Sequence, residues 1–169
     1  MLHIRKISIA AILIALSIVL DIIFKQITVT DTMGFPFYAL PVVIGSIVLG
    51  PVYGVLMGAG SDIISFFMFP KGTFSFWFVL APIVWGLIPG LAVKVKTNIW
   101  WLAIVLLITH VFATAFNTLA MYQIGLGEMA LASLSLRIML MPINVVILTF
   151  ATYSINKRLS TVYEDYLSL

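Results

Sequence analysis

LPVVIGSIVLGPVYGVLMG, residues 40–58, decides the fold of this chain. The stretch has no charged residue, and its apolar side chains do not alternate with polar ones as they do in a barrel strand. Gly50 and Pro51 interrupt it and predict a tight turn. Gly54 and Gly58 continue the four-residue spacing from Gly50, and small residues at this spacing let membrane helices approach closely. We therefore expect two apolar helices whose glycines serve internal packing.

The whole chain has the composition of a membrane protein. Its 169 residues are 63% hydrophobic and only 9% charged, whereas a soluble domain carries about 25% charged residues. This length holds about six spans, which must be helices because lipid offers no partners to backbone groups. The sequence predicts an all-α membrane protein, a single domain over 1–169. Its six transmembrane helices are expected at Ile4–Phe24, Phe37–Leu49, Val52–Phe69, Phe74–Val93, Ile99–Tyr122 and Leu131–Ile155.

The basic residues orient the predicted bundle. An even number of spans puts both termini on one side, which collects Arg5, Lys6, Lys94, Lys96, Lys157 and Arg158. The opposite side has Lys25 and Lys71, together with Asp31 and Glu128. By the positive-inside rule, both termini are cytoplasmic. The first apolar run, Ile7–Leu20, is long for a signal-peptide core and continues to Phe24, so we expect it to be retained as a helix.

Several classes of function are excluded by what the sequence lacks. It has no cysteine, which excludes disulfides, thiol catalysis and cysteine-ligated metals. It has no G-x-x-x-x-G-K-[ST] stretch, so the chain does not hydrolyse nucleotide itself, and the common zinc-protease and serine-hydrolase motifs do not occur. Its basic residues are too few and scattered for nucleic-acid binding. We expect neither catalysis nor a cofactor.

Arg137 is the sharpest signal for a binding site. It lies in LSLRIMLMPIN, about six residues into the sixth span and hence about 9 Å below the outer boundary. An arginine at this depth costs several kcal/mol unless it faces a partner or water. We interpret it as an anchor for a ligand carboxylate, which a guanidinium can bind bidentately. The alternative is an arginine that snorkels or pairs within the bundle.

Aromatic residues crowd FPKGTFSFWF, residues 69–78, which the orientation places outside. The rings could form an interfacial belt or a wall against a flat or apolar ligand, and we favour the wall. Its candidate members are Phe74, Phe76, Trp77 and Phe78, completed by Phe35, Phe37 and Tyr38 of the first loop. Lys71 could meet an anion or snorkel at the interface. Asn117, near the outer end of the fifth span, could bind a ligand or bridge helices.

Three further features have a structural and a functional interpretation. Asp62 lies near the middle of the third span and His110 deep in the fifth. Hydrogen bonding within the bundle is the simpler account, and a self-sufficient proton-coupled carrier is the alternative. On the first helix, Ser8, Ala11 and Ala15 form a flat ridge that either packs internally or faces a separate membrane subunit.

The chain resembles the substrate-binding S components of energy-coupling factor (ECF) vitamin importers, and most closely the folate-type group. The matching stretches are Ala11-x-x-x-Ala15, residues 40–58, Asp62, FPKG at 69–72 and GLIPGL at 86–91. The resemblance extends over nearly the whole chain. It implies a six-helix vitamin-binding protein of a prokaryotic cell membrane, without catalysis. Such proteins dock on an EcfT-type transmembrane coupling subunit that is driven by two ATPase subunits.

The resemblance also implies roles for particular residues. Ala11 and Ala15 would meet the coupling subunit. The ligand would lie in the outer half, beneath the loops that follow the first and third helices, with Lys71–Phe78 and Arg137 around it. The loaded protein would then rotate in the bilayer, a motion called toppling, and release the ligand inward.

Two positions depart from the folate-type pattern and bear on the ligand. Phe76 and Trp77 replace a Pro-Gly pair, and Trp85 replaces a basic residue of the fourth helix. Folate is the first expected ligand on resemblance. Pantothenate is a close second, because a smaller monoanion with an apolar body suits one arginine in a ring-lined pocket.

Overall fold

Six α-helices make up the part of the chain that the structure describes. This computed structural model describes residues 2–27, 35–70, 74–94 and 97–167, without the side chains of 2, 3, 25–27 and 160–167. The helices are α1 (Leu2–Ile27), α2 (Ala39–Leu49), α3 (Pro51–Met68), α4 (Phe76–Ala92), α5 (Ile99–Gln123) and α6 (Gly127–Leu167). No strand occurs within these ranges, and the predicted all-α class is confirmed.

Successive helices alternate in direction. The contacts that fix the directions are Leu13–Gly45, Ser17–Tyr38, Ile14–Gly60, Asp21–Ser65, Gly54–Gly86, Gly58–Pro82, Trp85–His110, Ala92–Trp101, His110–Asn144 and Met121–Ser133. The start of α1 and the end of α6 therefore lie at the same end of the bundle. Following the orientation predicted from the basic residues, we call this the inner end and the opposite one the outer end.

The turn between α2 and α3 is the one that the sequence predicts. Gly50 has a φ of 101°, a left-handed conformation that glycine adopts without steric cost. Its N–H donates to the carbonyl of Ser46 at 3.0 Å and so ends α2. Pro51 begins α3, where its missing N–H leaves no hydrogen bond unmade.

The α3–α4 interface is built on backbone contact. Gly54 lies directly against Gly86, and a methyl group on either glycine would overlap the backbone of the other. One turn further along, Gly58 lies against the carbonyl of Pro82. These contacts confirm that Gly54 and Gly58 serve internal packing, as small residues between membrane helices do.

α2 lies at the centre of the bundle, in contact with α1, α3, α4 and α6. Its buried side chains join those of three other helices in one apolar core: Ala39, Val42, Val43 and Ile47 with Ala81, Trp85, Leu102, Val105, Leu106, Ala113 and Leu148. Trp85, only 1% exposed, is among the largest side chains buried there. A short α2 suffices because neighbouring helices cover it, so its length is not set by the bilayer.

The predicted bounds of the sixth helix are wrong. α6 begins at Gly127, before the predicted Leu131, and it continues past the predicted end at Ile155, through a polar segment, to Leu167. Pro142 is its only proline, and no glycine follows Gly127, so nothing in the polar segment breaks the helix. Glu128 lies in the first turn, where a negative charge stabilises a helix, rather than in a loop. α1 likewise extends to Ile27, beyond the predicted end.

Four of the helices are long and apolar enough to cross a membrane by themselves: α1, α3, α5 and α6. α2, with 11 residues, and α4, with 17, are apolar but shorter. α1 is the least buried of the four, because it lies at the edge of the bundle and touches only α2 and α3.

Candidate functional site

Arg137 lies deeper along its helix than the sequence indicates. Because α6 begins at Gly127, Arg137 is about 15 Å from the start of the helix rather than about 9 Å. Its side chain is half-buried and faces α5, where Nη2 approaches Sδ of Met121 at 3.9 Å. Nη1 is buried and has no hydrogen-bond partner among the described residues. A thioether is a weak acceptor, so the guanidinium keeps most of its donor capacity.

One face of α5 lies opposite Arg137. Met121 contacts Ser133, and His110 contacts Asn144, which fixes the antiparallel register of α5 and α6. The same register places Asn117, half-buried, level with Arg137. The sequence predicts Asn117 and Arg137 as ligand groups independently, and the fold brings them to the same depth on facing helices.

A buried hydrogen-bonded group lies one to two turns further inward on these helices. Nε2 of His110 is 3.3 Å from Nδ2 of Asn144, and Nδ1 is 3.3 Å from the hydroxyl of Thr114. An amide nitrogen can only donate, so we assign Nε2 as the acceptor and Nδ1–H as the donor to Thr114. Both ring nitrogens of His110 are therefore engaged within the bundle.

Trp85 and Tyr38 extend this group toward α2. The indole ring of Trp85 packs edge-on against His110, with ring centroids 5.5 Å apart. Trp85 is also a neighbour of Tyr38, and its indole N–H is the group that could donate to the phenol. The backbone carbonyl of Tyr38 accepts from the hydroxyl of Ser17 at 2.7 Å, which fixes the start of α2 against α1.

Asp62, Asp21 and Arg137 are charged groups whose fields act on Tyr38. One carboxylate oxygen of Asp21 accepts a hydrogen bond from Ser65, which ties the outer parts of α1 and α3 together. Asp62 is half-buried and, like Asp21, engaged within the bundle. The phenol thus lies in a mixed electrostatic environment, with one cation and two carboxylates around it.

The aromatic residues of the outer end form two clusters. Phe74 packs against Phe66, Phe67 and Phe76, with centroids 5.1, 5.6 and 5.1 Å apart. In the other cluster, Phe37 stacks on Phe24 at 4.3 Å and lies 5.8 Å from Phe35. Phe76 is 74% exposed and Trp77 48% exposed, whereas Phe74 is half-buried. Phe78 is half-buried in the first turn of α4.

Two predictions concern other parts of the molecule. Lys71, the second predicted anion-binding residue, lies outside the described residues. Ser8, Ala11 and Ala15 are all exposed on α1, and the hydroxyl of Ser8 donates back to the carbonyl of Ile4 at 3.1 Å. The ridge therefore does not pack against the described helices of this chain.

Trp85 lies beside the candidate site, although the sequence did not identify it as a binding residue. The sequence carries a signal for it, because Trp85 is one of the departures from the pattern that the chain resembles, but its place near Tyr38 depends on the fold. No group of three or more His, Asp or Glu side chains suited to a metal ion occurs within the described ranges. The arrangement offers a buried guanidinium, a phenol, an amide and aromatic faces, which suit an anion with a flat or apolar body.

Comparisons with known proteins agree with this architecture. A family model described as ECF transporter, substrate-specific component, matches residues 5–161. Among solved structures, "Crystal structure of FolT bound with folic acid" is similar to the chain with a TM-score of 0.68 and 21% sequence identity, covering 89% of this chain and 95% of that one. No curated protein matches the sequence. The structural likeness shows the six-helix fold, and the family match extends over nearly the whole chain. The chain therefore belongs to the family of substrate-specific components of ECF transporters.

Proposed function

We propose that this chain captures a water-soluble vitamin at its outer end, with folate as the first candidate and Arg137 as the carboxylate anchor. The observation that carries the proposal is the unpartnered, buried Nη1 of Arg137, beside Tyr38 and level with Asn117. An uncompensated guanidinium inside a membrane protein is costly. A ligand carboxylate would relieve that cost and would bind through two parallel hydrogen bonds.

The aromatic residues support a ligand with a flat ring. In this proposal Phe74 and its neighbours cover the apolar part of the ligand, while Arg137 holds the acidic part. The similar solved structure has folic acid bound, and folate combines a flat ring with carboxylates. Trp77, Phe76 and Phe35 are secondary candidates for this contact, and Lys71 is a candidate for a second carboxylate.

Pantothenate is the second candidate, favoured by the charge of the site. Among the described side chains, Arg137 is the only lysine or arginine on the outer side of the bundle. One guanidinium matches one carboxylate, whereas folate carries two. If Lys71 contributes no cation, the monoanion fits better.

The exposed ridge of α1 supports docking on a transmembrane coupling subunit. Ala11 and Ala15 present small side chains toward the bilayer, so another helix could approach α1 closely. In this proposal the coupling subunit and its two ATPases supply the energy, and the loaded chain topples to release the vitamin inside a prokaryotic cell.

A bulky residue on this ridge should separate transport from binding. We expect Ala15→Trp to retain the ligand affinity of the purified chain and to lose most of its uptake in cells that supply the coupling subunit. The matched control is Ile138→Trp, a similarly exposed position on α6, which should retain both. Equal uptake by the two variants would refute the assignment of the ridge.

Mass spectrometry tests the ligand directly. The chain is expressed alone in vitamin-rich medium, purified in detergent and denatured, and the released small molecules are identified. Folate released at one molecule per chain is the expected result. Release of pantothenate instead would support the same binding site and identify pantothenate as its ligand. A chain that releases neither vitamin and also fails to bind them would reject both candidates.

The same system distinguishes the proton-coupled carrier that uses Asp62 and His110. Such a carrier would take up its substrate in vesicles that contain this chain alone, and Asp62→Asn would abolish the uptake. We expect no uptake by the chain alone, because both ring nitrogens of His110 are engaged in hydrogen bonds.

A further inference from the structure

The inner half of α6 contains buried polar groups that the vitamin site does not use. All buried side-chain nitrogen and oxygen atoms without a partner, within the described residues, belong to α6: Nη1 of Arg137, Oδ1 of Asn144, the hydroxyls of Thr149 and Thr152, and both amide atoms of Asn156. Arg137 and Asn144 belong to the outer site and the group beneath it. We call the remaining three residues, Thr149, Thr152 and Asn156, the inner polar column.

The inner polar column lies on one face of the helix. Its members are three and four residues apart, a spacing at which helical side chains are neighbours. Thr149 is 5% exposed, Thr152 0% and Asn156 2%, so the face points into the bundle rather than into lipid. Leu148, in the same part of α6, belongs to the apolar core, so the column lies against the side of that core.

Threonines elsewhere in this chain satisfy their own hydroxyls. Thr109 donates to the carbonyl of Val105 at 2.7 Å, and Thr118 donates to that of Thr114 at 2.8 Å. Thr149 and Thr152 make no such bond to the preceding turn. An unsatisfied buried hydroxyl costs about 1–3 kcal/mol, and here two of them adjoin an amide with neither atom paired.

Other partners for the column are excluded by distance or chemistry. A ligand held by Arg137 lies on the other side of the His110–Asn144 contact, because Thr149 is about 18 Å further along α6. Lipid tails offer no hydrogen bonds, and the column is buried away from them. A metal ion would bring a charge that these three neutral side chains do not offset. Water both donates and accepts, as two hydroxyls and an amide require.

We propose that the inner polar column binds ordered water molecules within the bundle. Water enters at the inner end, where Asn156 is followed directly by the exposed Lys157 and Arg158. It bridges Asn156 to Thr152 and Thr149. The polar side chains in the inner half of α6 are then hydrogen-bonded by water rather than by another side chain. The bundle then contains ordered water along α6, whereas α3 and α4 pack by direct backbone contact.

Isosteric substitutions test this proposal. Thr149→Val and Thr152→Val replace a hydroxyl by a methyl group of nearly the same size. If water binds the hydroxyl, each variant should lower the Tm of the detergent-purified chain, by about 2–4 °C for each kcal/mol lost. The control is Thr109→Val, equally buried, whose hydroxyl bonds only to its own helix and whose loss should leave the Tm close to that of the wild type. An unchanged or raised Tm for Thr149→Val and Thr152→Val would show that no water binds these hydroxyls and would overturn the proposal.

A crystal structure of the wild-type chain decides the cause of a lowered Tm. Water within about 3.2 Å of the Thr149 or Thr152 hydroxyl, or of the Asn156 amide, is the expected observation. If these hydroxyls instead donate hydrogen bonds to protein acceptors and no water lies in the column, the proposal is overturned even if the Tm falls. Thr152→Val should not change the ligand affinity, so the outcome is independent of that for the vitamin site.

Discussion

The α3–α4 and α5–α6 interfaces join neighbouring antiparallel helices in opposite ways. Between α3 and α4, glycine and proline bring the backbones into direct contact at Gly54–Gly86 and Gly58–Pro82. Between α5 and α6, polar side chains make several of the contacts, among them His110–Asn144. Several polar atoms on α6 have no protein partner, whereas none on α3 or α4 is in this state among the described residues.

We interpret this difference as a division of roles, in which the α3–α4 interface supports the bundle and the α5–α6 interface is suited to binding a ligand. A glycine contact has one geometry, because there is no side chain that could take another conformation. A seam of long polar side chains holds donors and acceptors at defined depths and can give some of them to a ligand. The α3–α4 pair is therefore the rigid part of the bundle, and the α5–α6 pair offers the donors and acceptors on which the proposed site depends.

The largest effect is expected from breaking the glycine contact. Gly86→Ala places a methyl group on the backbone of Gly54, so the two helices must separate. We expect a loss of about 3 kcal/mol or more, seen as a Tm lowered by roughly 10 °C. The matched control is Gly60→Ala on α3, where the new methyl group would lie 3.8 Å from Ile14 and fits without displacement. Similar Tm values for the two variants would contradict the assignment of α3–α4 as the rigid pair.

The next largest effect is expected at the guanidinium. Arg137→Gln should weaken vitamin binding at least about 100-fold, or about 3 kcal/mol, because a buried charge pair is lost. The affinity of Arg137→Lys should lie between those of the wild type and Arg137→Gln, since lysine keeps the charge but cannot bind a carboxylate bidentately. Arg158→Gln, at an exposed position of the inner end, should bind as the wild type does. Calorimetry on folded variants measures all three.

A smaller, coupled effect is expected for Trp85 and Tyr38. If the indole N–H orients the phenol toward the ligand, Trp85→Phe and Tyr38→Phe should each weaken binding by about tenfold. The double variant should then bind no worse than the weaker single one, because both remove the same interaction. Losses of binding free energy that add in the double variant, so that the two fold-changes in the dissociation constant multiply, would show that Trp85 acts only through packing.

The smallest effect is expected among the aromatic residues. Phe74→Ala should weaken binding by about fivefold, because Phe74 lies at the centre of its cluster and orders the rings around it. Phe76→Ala should change binding by less than about twofold, because that ring is 74% exposed. The reverse order in a side-by-side titration would assign Phe76, not Phe74, to the ligand.

Much of the fold follows from the sequence, because apolar runs and turn residues act locally. Gly50-Pro51 predicts the α2–α3 turn, and Gly54 with Gly58 predicts the close approach to another helix. The ends of α6 do not follow in this way. The segment after Asn156 is polar, which marks the end of the apolar span but not of the helix, because helix formation depends on propensity as well as on lipid.

The site was predictable in its parts but not in its assembly. Arg137 is conspicuous because a charge is rare within an apolar run, and its depth identifies it before any fold is known. Its position relative to Asn117 depends on the register of α5 and α6, which is set by packing over the whole interface. The inner polar column was not predictable, because threonine usually bonds to its own helix and only the folded structure shows where it does not.

Calorimetric titration of the chain, purified without partners, tests the central claim most directly. The wild type and Arg137→Gln are each titrated with folate and with pantothenate, and Arg158→Gln serves as the control. The account predicts that folate binds the wild type at one molecule per chain and that Arg137→Gln, although folded, loses this binding. Folate binding of equal strength in the wild type and Arg137→Gln would contradict it, as would a wild type that binds neither vitamin.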